Sequence, residues 1–368
     1  MKNIQTPLFI ITAALSIMLL FSGCRQKPDP EKEQSVAETL LLKNYKPKSI
    51  YNLPETKVEQ AMYPVIDMHA HVYAETKEEV AKWVKTMDDK GIQKVIVLSQ
   101  AYGSRFDSIV DLYSEYPERF SLWCGFDYSG YNDPGFPEDA IRELKRCAEN
   151  GAKGVGELGD KGKGLFYCKP EAYGMHPDDP RMDKLWAACA ELNLPVSLHV
   201  ADPKWMYETM DSTNDGMMNA LKWRLDNQEG IKSLEEMVEI LGNTLKRNPG
   251  TTFIACHFAN CSFDFSLVEE LLDSYPNLYL DISARFAETC AIPRRSKSFY
   301  TSYQDRIVYG TDMGRDVNMY EMTFRLLETN DEHIYLPYNT YHWPLHALNL
   351  EDNILKKIYR ENALKLVL

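Results

Sequence analysis

The chain has 368 residues, 44% of them hydrophobic and 26% charged, enough to bury a large core as two average domains or one large barrel. Its formal charge of −13 and isoelectric point near 5.2 argue against a nucleic-acid partner, and short basic runs such as Lys356-Lys357 do not offset them. A dissolved small molecule is the ligand expected.

At the N-terminus Lys2 precedes an apolar run over residues 8–21 that ends in Ser22-Gly23-Cys24. It is short of the roughly twenty apolar residues of a spanning helix and reads as a secretory signal. The small residues before Cys24 resemble a bacterial lipobox, although Phe21 stands where leucine is usual; a non-lipidated signal or an uncleaved anchor is the alternative. The organisation expected is a signal peptide over 1–24, a tether over 25–45 whose first part is polar and proline-bearing, and one folded domain over 46–368. The protein is then a bacterial cell-envelope lipoprotein, touching the membrane only through a lipid on Cys24. Seven further cysteines show no CxxC and no regular spacing, so most read as buried thiols, with a bridge from Cys168 or Cys290 left open.

The first element of the domain is Val65-Ile66-Asp67-Met68-His69-Ala70-His71, with Asp67, His69 and His71 at every second position of a strand. Two imidazoles on one face are a ready pair of metal ligands. Two half-exposed histidines on an edge strand are the bland alternative. Helix and strand signals then alternate: helix 77–89 before strand 93–98, helix 106–116 before 120–126, helix 137–148 before 152–158, and helix 179–192 before 195–200. Helix 233–246 precedes strand 252–257, helix 266–274 precedes 278–282, and a weak helix 300–304 precedes 306–309. Helices over 317–328 and 350–367 close the chain. Eight such units with near-continuous apolar strands predict an α/β fold of the (β/α)8 TIM-barrel type. An open doubly wound sheet loses because no glycine-rich nucleotide loop follows any strand. The long connection 201–232 holds Trp205 and would lie over the barrel mouth, where substrate selectivity is set.

Polar residues end otherwise apolar strands: His69 and His71 on the first, Glu157 on the fourth, His199 on the fifth, His257 on the sixth, and Asp312 just past the eighth. All fall at carboxyl ends, the face on which barrel active sites are built. For any single histidine a hydrogen-bonded core residue is the ordinary explanation; a register match across several strands is not.

This set resembles the amidohydrolase superfamily, in particular the amidohydrolase-related branch that includes aminocarboxymuconate-semialdehyde decarboxylase and pyrone-dicarboxylate lactonase. The similarity spans about residues 60 to 368. It rests on Ile66-Asp67-Met68-His69-Ala70-His71, Ser197-Leu198-His199, Ala255-Cys256-His257, Asp281-Ile282-Ser283-Ala284-Arg285, the run from Asp305 to Asp312, and Ile358-Tyr359-Arg360-Glu361-Asn362-Ala363. The resemblance implies that His69, His71, His199 and Asp312 hold one divalent metal ion, zinc being expected, with His257 as an acid, base or electrophile. Binuclear relatives carry a carboxylated lysine at the end of the fourth strand. This chain has Gly156-Glu157 there, which favours a single ion while leaving Glu157 as a bridging ligand to a second or a substrate contact.

With such ligands a bound water ionises near neutrality, Asp312 takes its proton, and a lactone, amide or ester opens. Arg285 and Arg315 are candidates for a substrate carboxylate, and Trp205 for the pocket wall. Hydrolysis leads; non-oxidative decarboxylation of a small unsaturated or aromatic acid by the same site is second, and a binding protein on a retired barrel is third. A homo-oligomer stays open. Replacing Cys24 by Ser is expected to release the protein from the membrane or leave it unprocessed; wild-type protein found soluble in the cytoplasm would overturn the lipobox reading.

Overall fold

A computed structural model of the chain describes residues 36, 38–336 and 341–367. Two compact units are separated, Met1–Tyr45 and Lys46–Leu368. The described part of the first includes an exposed turn of 3-10 helix, Leu42–Asn44. The expected signal segment and Cys24 lie outside the described residues.

The second unit carries the parallel strands β1 (Val65–Ala70), β2 (Ile92–Leu98), β3 (Phe120–Trp123), β4 (Val155–Asp160), β5 (Val196–Val200), β6 (Phe253–Ala255), β7 (Leu278–Asp281) and β8 (Ile307–Val308). Helices alternate with them: α1 (Lys77–Lys90), α2 (Gly103–Tyr113), α3 (Phe136–Glu149), α4 (Pro180–Glu191), α5 (Leu234–Arg247), α6 (Phe265–Ser274), α7 (Pro293–Ser302) and α8 (Val317–Glu328). Hydrogen bonds join β1-β2-β3 and β8-β7-β6-β5-β4. A parallel bridge from Cys124 to Val155 links the two sheets. Between β1 and β8 no ladder forms among the described residues; Met68 N–H donates to Tyr309 O at 2.9 Å instead. The fold is a (β/α)8 TIM barrel.

The alternation of side chains along the strands builds its two cores. Ile66, Met68, Ile96, Leu98, Trp123, Ile254 and Val308 form one cluster inside the ring, while Val65, Val95, Val97, Val196, Phe253, Leu278 and Ile307 join the larger one with the helices. Helix starts follow local chemistry. The Thr76 side chain accepts from Glu79 N–H at α1, Asp179 from Arg181 N–H at α4, and Ser233 shares a reciprocal capping box with Glu236 at α5.

Five differences from the sequence expectation have physical causes. Asp67 does not share a face with His69 and His71, because the β1 register shifts between Asp67 and Ala70; Asp67 turns to the Tyr320 hydroxyl of α8 and to Thr311. β6 stops at Ala255, since His257, Phe258 and Ala259 take left-handed backbone (φ 57°, 60° and 52°). The weak helix expected over 300–304 is α7, opened by Pro293 at its first turn. The closing helix is divided into Asp352–Lys356, a π-turn over Lys357–Glu361, and Asn362–Val367. Within the connections lie an antiparallel ribbon, Gly164–Leu165 with Ala172–Tyr173, and a helix, Met217–Trp223, that the pattern did not announce. The described cysteines 124, 147, 168, 189, 256, 261 and 290 are all free and buried.

Gly310, just past β8, lies where a Cβ would meet His69 Cβ at 2.9 Å and Ser283 Cβ at 3.4 Å. Gly310→Ala is therefore expected to fold with an overpacked β1–β8 junction and to lose about 1–3 kcal/mol, read as a lower urea midpoint at unchanged slope. An unchanged midpoint would mean that β1 and β8 are not in such close contact.

Candidate metal centre

The carboxyl ends of β1, β4, β5, β6 and β8 bring His69, His71, Glu157, His199, His257 and Asp312 together. Ligand atoms lie within 4.8 Å of one another in the groups His69–His71–Glu157, His69–His257–Asp312 and Glu157–His199–His257. Asp312 Oδ1 is 3.2 Å from His71 Nε2 and 3.7 Å from His69 Nε2, and Oδ2 is 3.8 Å from His257 Nε2. Glu157 Oε1 lies 3.2 Å from His257 Nε2 and 3.8 Å from His69 Nε2, and Oε2 lies 3.5 Å from His71 Nε2.

The backs of three rings are fixed. His69 Nδ1 meets Asp281 Oδ2 at 2.9 Å, His71 Nδ1–H donates to Leu98 O at 2.9 Å, and His257 Nδ1–H donates to Ser283 O at 3.1 Å. Each pairing assigns the proton to Nδ1 and turns the Nε2 lone pair inward. His69 Nε2 is buried and has no hydrogen-bond partner among the described residues, an arrangement that is costly unless something else occupies its lone pair. A divalent cation bound by imidazole and carboxylate fits that vacancy in the bonding pattern. His199 is held differently, with Nδ1 2.7 Å from Glu157 Oε1 and Nε2 3.2 Å from Asp202 Oδ1.

Charge follows the geometry. Burial raises the carboxyl of Glu157, but His199, His257 and His69 outweigh it and hold the group well below the carboxylate range. For Asp312 burial is likewise overcome by His69, His71 and His257. Burial lowers the His69 imidazole, yet Asp281 and Asp312 lift it well above its usual range. His257 alone moves down, through burial and the neighbouring His199 and His69. The centre thus holds two ionised carboxylates among its imidazoles. Asp67, wholly buried below it, is pushed up to about 6 by burial, partly offset by its bonds from Thr311 and His69.

The centre opens into a cavity of about 710 Å³, lined in part by Glu157, His199, His257, Asp312 and Arg285. Arg285 is anchored at two points: one terminal nitrogen donates to Asn260 Oδ1 at 2.5 Å and the other to Ala284 O at 2.8 Å, while its buried Nε has no partner among the described residues. Arg315 lies away from the cavity lining and pairs with Glu79 at 3.0 Å. Trp205 packs behind the lining on the rings of Tyr341 and Trp343. Sequence reasoning gave no site role to Asp281, Ser283, Asp202 or Lys161, although Asp281 and Ser283 stand in a motif that carries the resemblance. Asp281 ends an apolar strand as the histidines do, and Asp202 stands three residues after His199; both signals were present in the pattern.

The geometry agrees with relationships at the level of sequence and fold. A family model for amidohydrolases matches residues 66–367. No curated protein matches the sequence. Among solved structures, a TIM-barrel protein from Bordetella bronchiseptica superposes with a TM-score of 0.54 at 16% identity, covering 83% of this chain and 98% of that one. The 2,6-dihydroxybenzoate decarboxylase from Rhizobium gives 0.52 at 17%, covering 83% and 99%. A dihydroxybenzoic acid decarboxylase from Polaromonas sp. JS666, with bound manganese and an inhibitor, gives 0.52 at 18%, covering 83% and 97%. At these identities the structures share the barrel, whereas the family model spans most of the chain. The chain belongs to the amidohydrolase family.

Proposed function

We propose that the protein is a metal-dependent hydrolase of a small lactone, amide or ester, with one divalent ion held by His69, His71, His199 and Asp312 and with Glu157 beside it. The observation that supports it most is the Asp312 carboxylate, which faces the inward nitrogens of His69, His71 and His257 within 3.8 Å. Imidazole and carboxylate suit zinc or manganese, and manganese is the ion in the Polaromonas decarboxylase. When bound, such an ion supplies Lewis acidity and brings the pKa of a water toward about 7.

The residues divide the proton work. Asp312, ionised, takes the proton of the attacking water as its oxygen adds to the substrate carbonyl carbon. His257, whose inward Nε2 lone pair faces Asp312 Oδ2, can accept that proton and carry it onward. The C–N or C–O bond then breaks, and the leaving nitrogen or oxygen receives that proton. Tyr73 donates its hydroxyl to Asp312 Oδ1 at 3.4 Å and holds the carboxylate in place.

Non-oxidative decarboxylation is the second reading, favoured by a cavity that combines Arg285 and Lys161 with apolar walls such as Met206, Met319 and Phe286. A screen of lactones, amides, esters and unsaturated acids in labelled water separates the two. Solvent oxygen in the product supports hydrolysis; carbon dioxide release without label would replace it by decarboxylation. Asp312→Asn keeps the shape but cannot take the proton, so kcat is expected to fall by about 10² to 10⁴ with folding intact. Near wild-type turnover by that variant with metal bound would remove Asp312 from the role of base.

A further inference from the structure

The cavity wall carries, besides Arg285, a cation that the proposed hydrolysis does not use. Lys161 follows β4, lines the cavity and is 16% exposed in its side chain. Its Nζ stands 3.0 Å from Asp202 Oδ2, 5.0 Å from the centroid of the Tyr167 ring and 5.4 Å from that of Trp223. These partners come from two separate connections: Tyr167 from the ribbon segment after β4, and Asp202 and Trp223 from the long connection after β5. Nothing in the barrel scaffold requires a lysine there. The protein has instead placed a cationic head at the cavity with a carboxylate on one side and aromatic surfaces around it.

Arg285 lines the same cavity, with a donation from each terminal nitrogen to Ala284 O and Asn260 Oδ1, and Lys161 is the second cation there. Lys161 Nζ has three donor hydrogens and one carboxylate partner among the described residues. Asp202 also faces His199 Nε2 at 3.2 Å, so the lysine stands one side chain away from the centre and on the cavity side of it. A substrate whose reacting carbon sits at Asp312 and His257 can reach Lys161 with a group at its other end.

We propose that Lys161, framed by Tyr167 and Trp223, is the specificity-determining residue for the anionic group of the substrate, a carboxylate remote from the bond that is broken. This assignment rests on the functional reading above for the position of the reacting carbon, but the anion subsite itself does not need the metal.

The test is calorimetric binding of benzoate, 2-furoate and crotonate, each beside its neutral amide, to the full chain, both metal-loaded and chelator-treated. Wild-type protein is expected to bind carboxylates more tightly than amides in both forms. Lys161→Met and Lys161→Gln should lose that preference by about tenfold or more while amide binding is unchanged, and Lys161→Arg should retain it. A purely structural lysine would weaken acid and amide alike. The proposal is overturned if no carboxylate exceeds its amide in wild type, if the preference survives in both neutral variants, or if it exists only in the metal-loaded form and is independent of Lys161. Selectivity in chelator-treated protein that disappears with Lys161 supports the subsite even if the catalytic reading fails.

Discussion

The Asp281–His69 pair is the contact on which the centre depends. Asp281 is 1% exposed at the end of β7, and it reaches across the ring to the Nδ1 of a wholly buried histidine on β1. Burial raises this carboxyl, but His69 and the Ser283 hydroxyl more than compensate and hold it below its ordinary range. The same carboxylate accepts from His257 N–H and Ser283 N–H, both at 3.0 Å. One side chain therefore sets the orientation of His69, the backbone that carries His257, and the turn after β7. Because its oxygens are committed behind the rings, their free nitrogens face one point in front.

Backbone strain marks the same place. Gln100, Ala201, His257, Ala284 and Asp312 all have left-handed φ between 52° and 66°, and each stands just past the end of a strand. Such conformations cost roughly 1–3 kcal/mol apiece in a residue other than glycine. The barrel supplies the rigid frame that bears the cost. Gln100, His257, Ala284 and Asp312, two to four residues past their strands, line the cavity at the mouth, where barrel sites are built.

Much of this was legible in the sequence. The barrel followed from the alternation of apolar strands with amphipathic helices, and His69, His71, Glu157, His199, His257 and Asp312 stood out as polar residues ending apolar runs. What alternation cannot report is a shift of register, which is why Asp67 was grouped with the histidines and instead faces α8. Nor can it report which arginine enters the cavity. Arg285 and Arg315 flank their strands similarly in sequence, yet only one lines the space, because α1 offers Glu79 to the other. Trp205, expected in the pocket wall, packs behind the lining on Tyr341 and Trp343, more than a hundred residues later. Lys161 and Asp202 are separated by a ribbon, a helix and a strand, and the parallel pairing of β4 with β5 sets them side by side.

The central claim is that these inward nitrogens and carboxylates form one cation site. Plasma emission analysis of the purified protein, beside a His69→Ala variant that removes the unpartnered Nε2, tests it most directly. About one divalent ion per wild-type chain and a marked loss in the variant are expected. Active protein without metal, or equal metal in both proteins, would contradict the account.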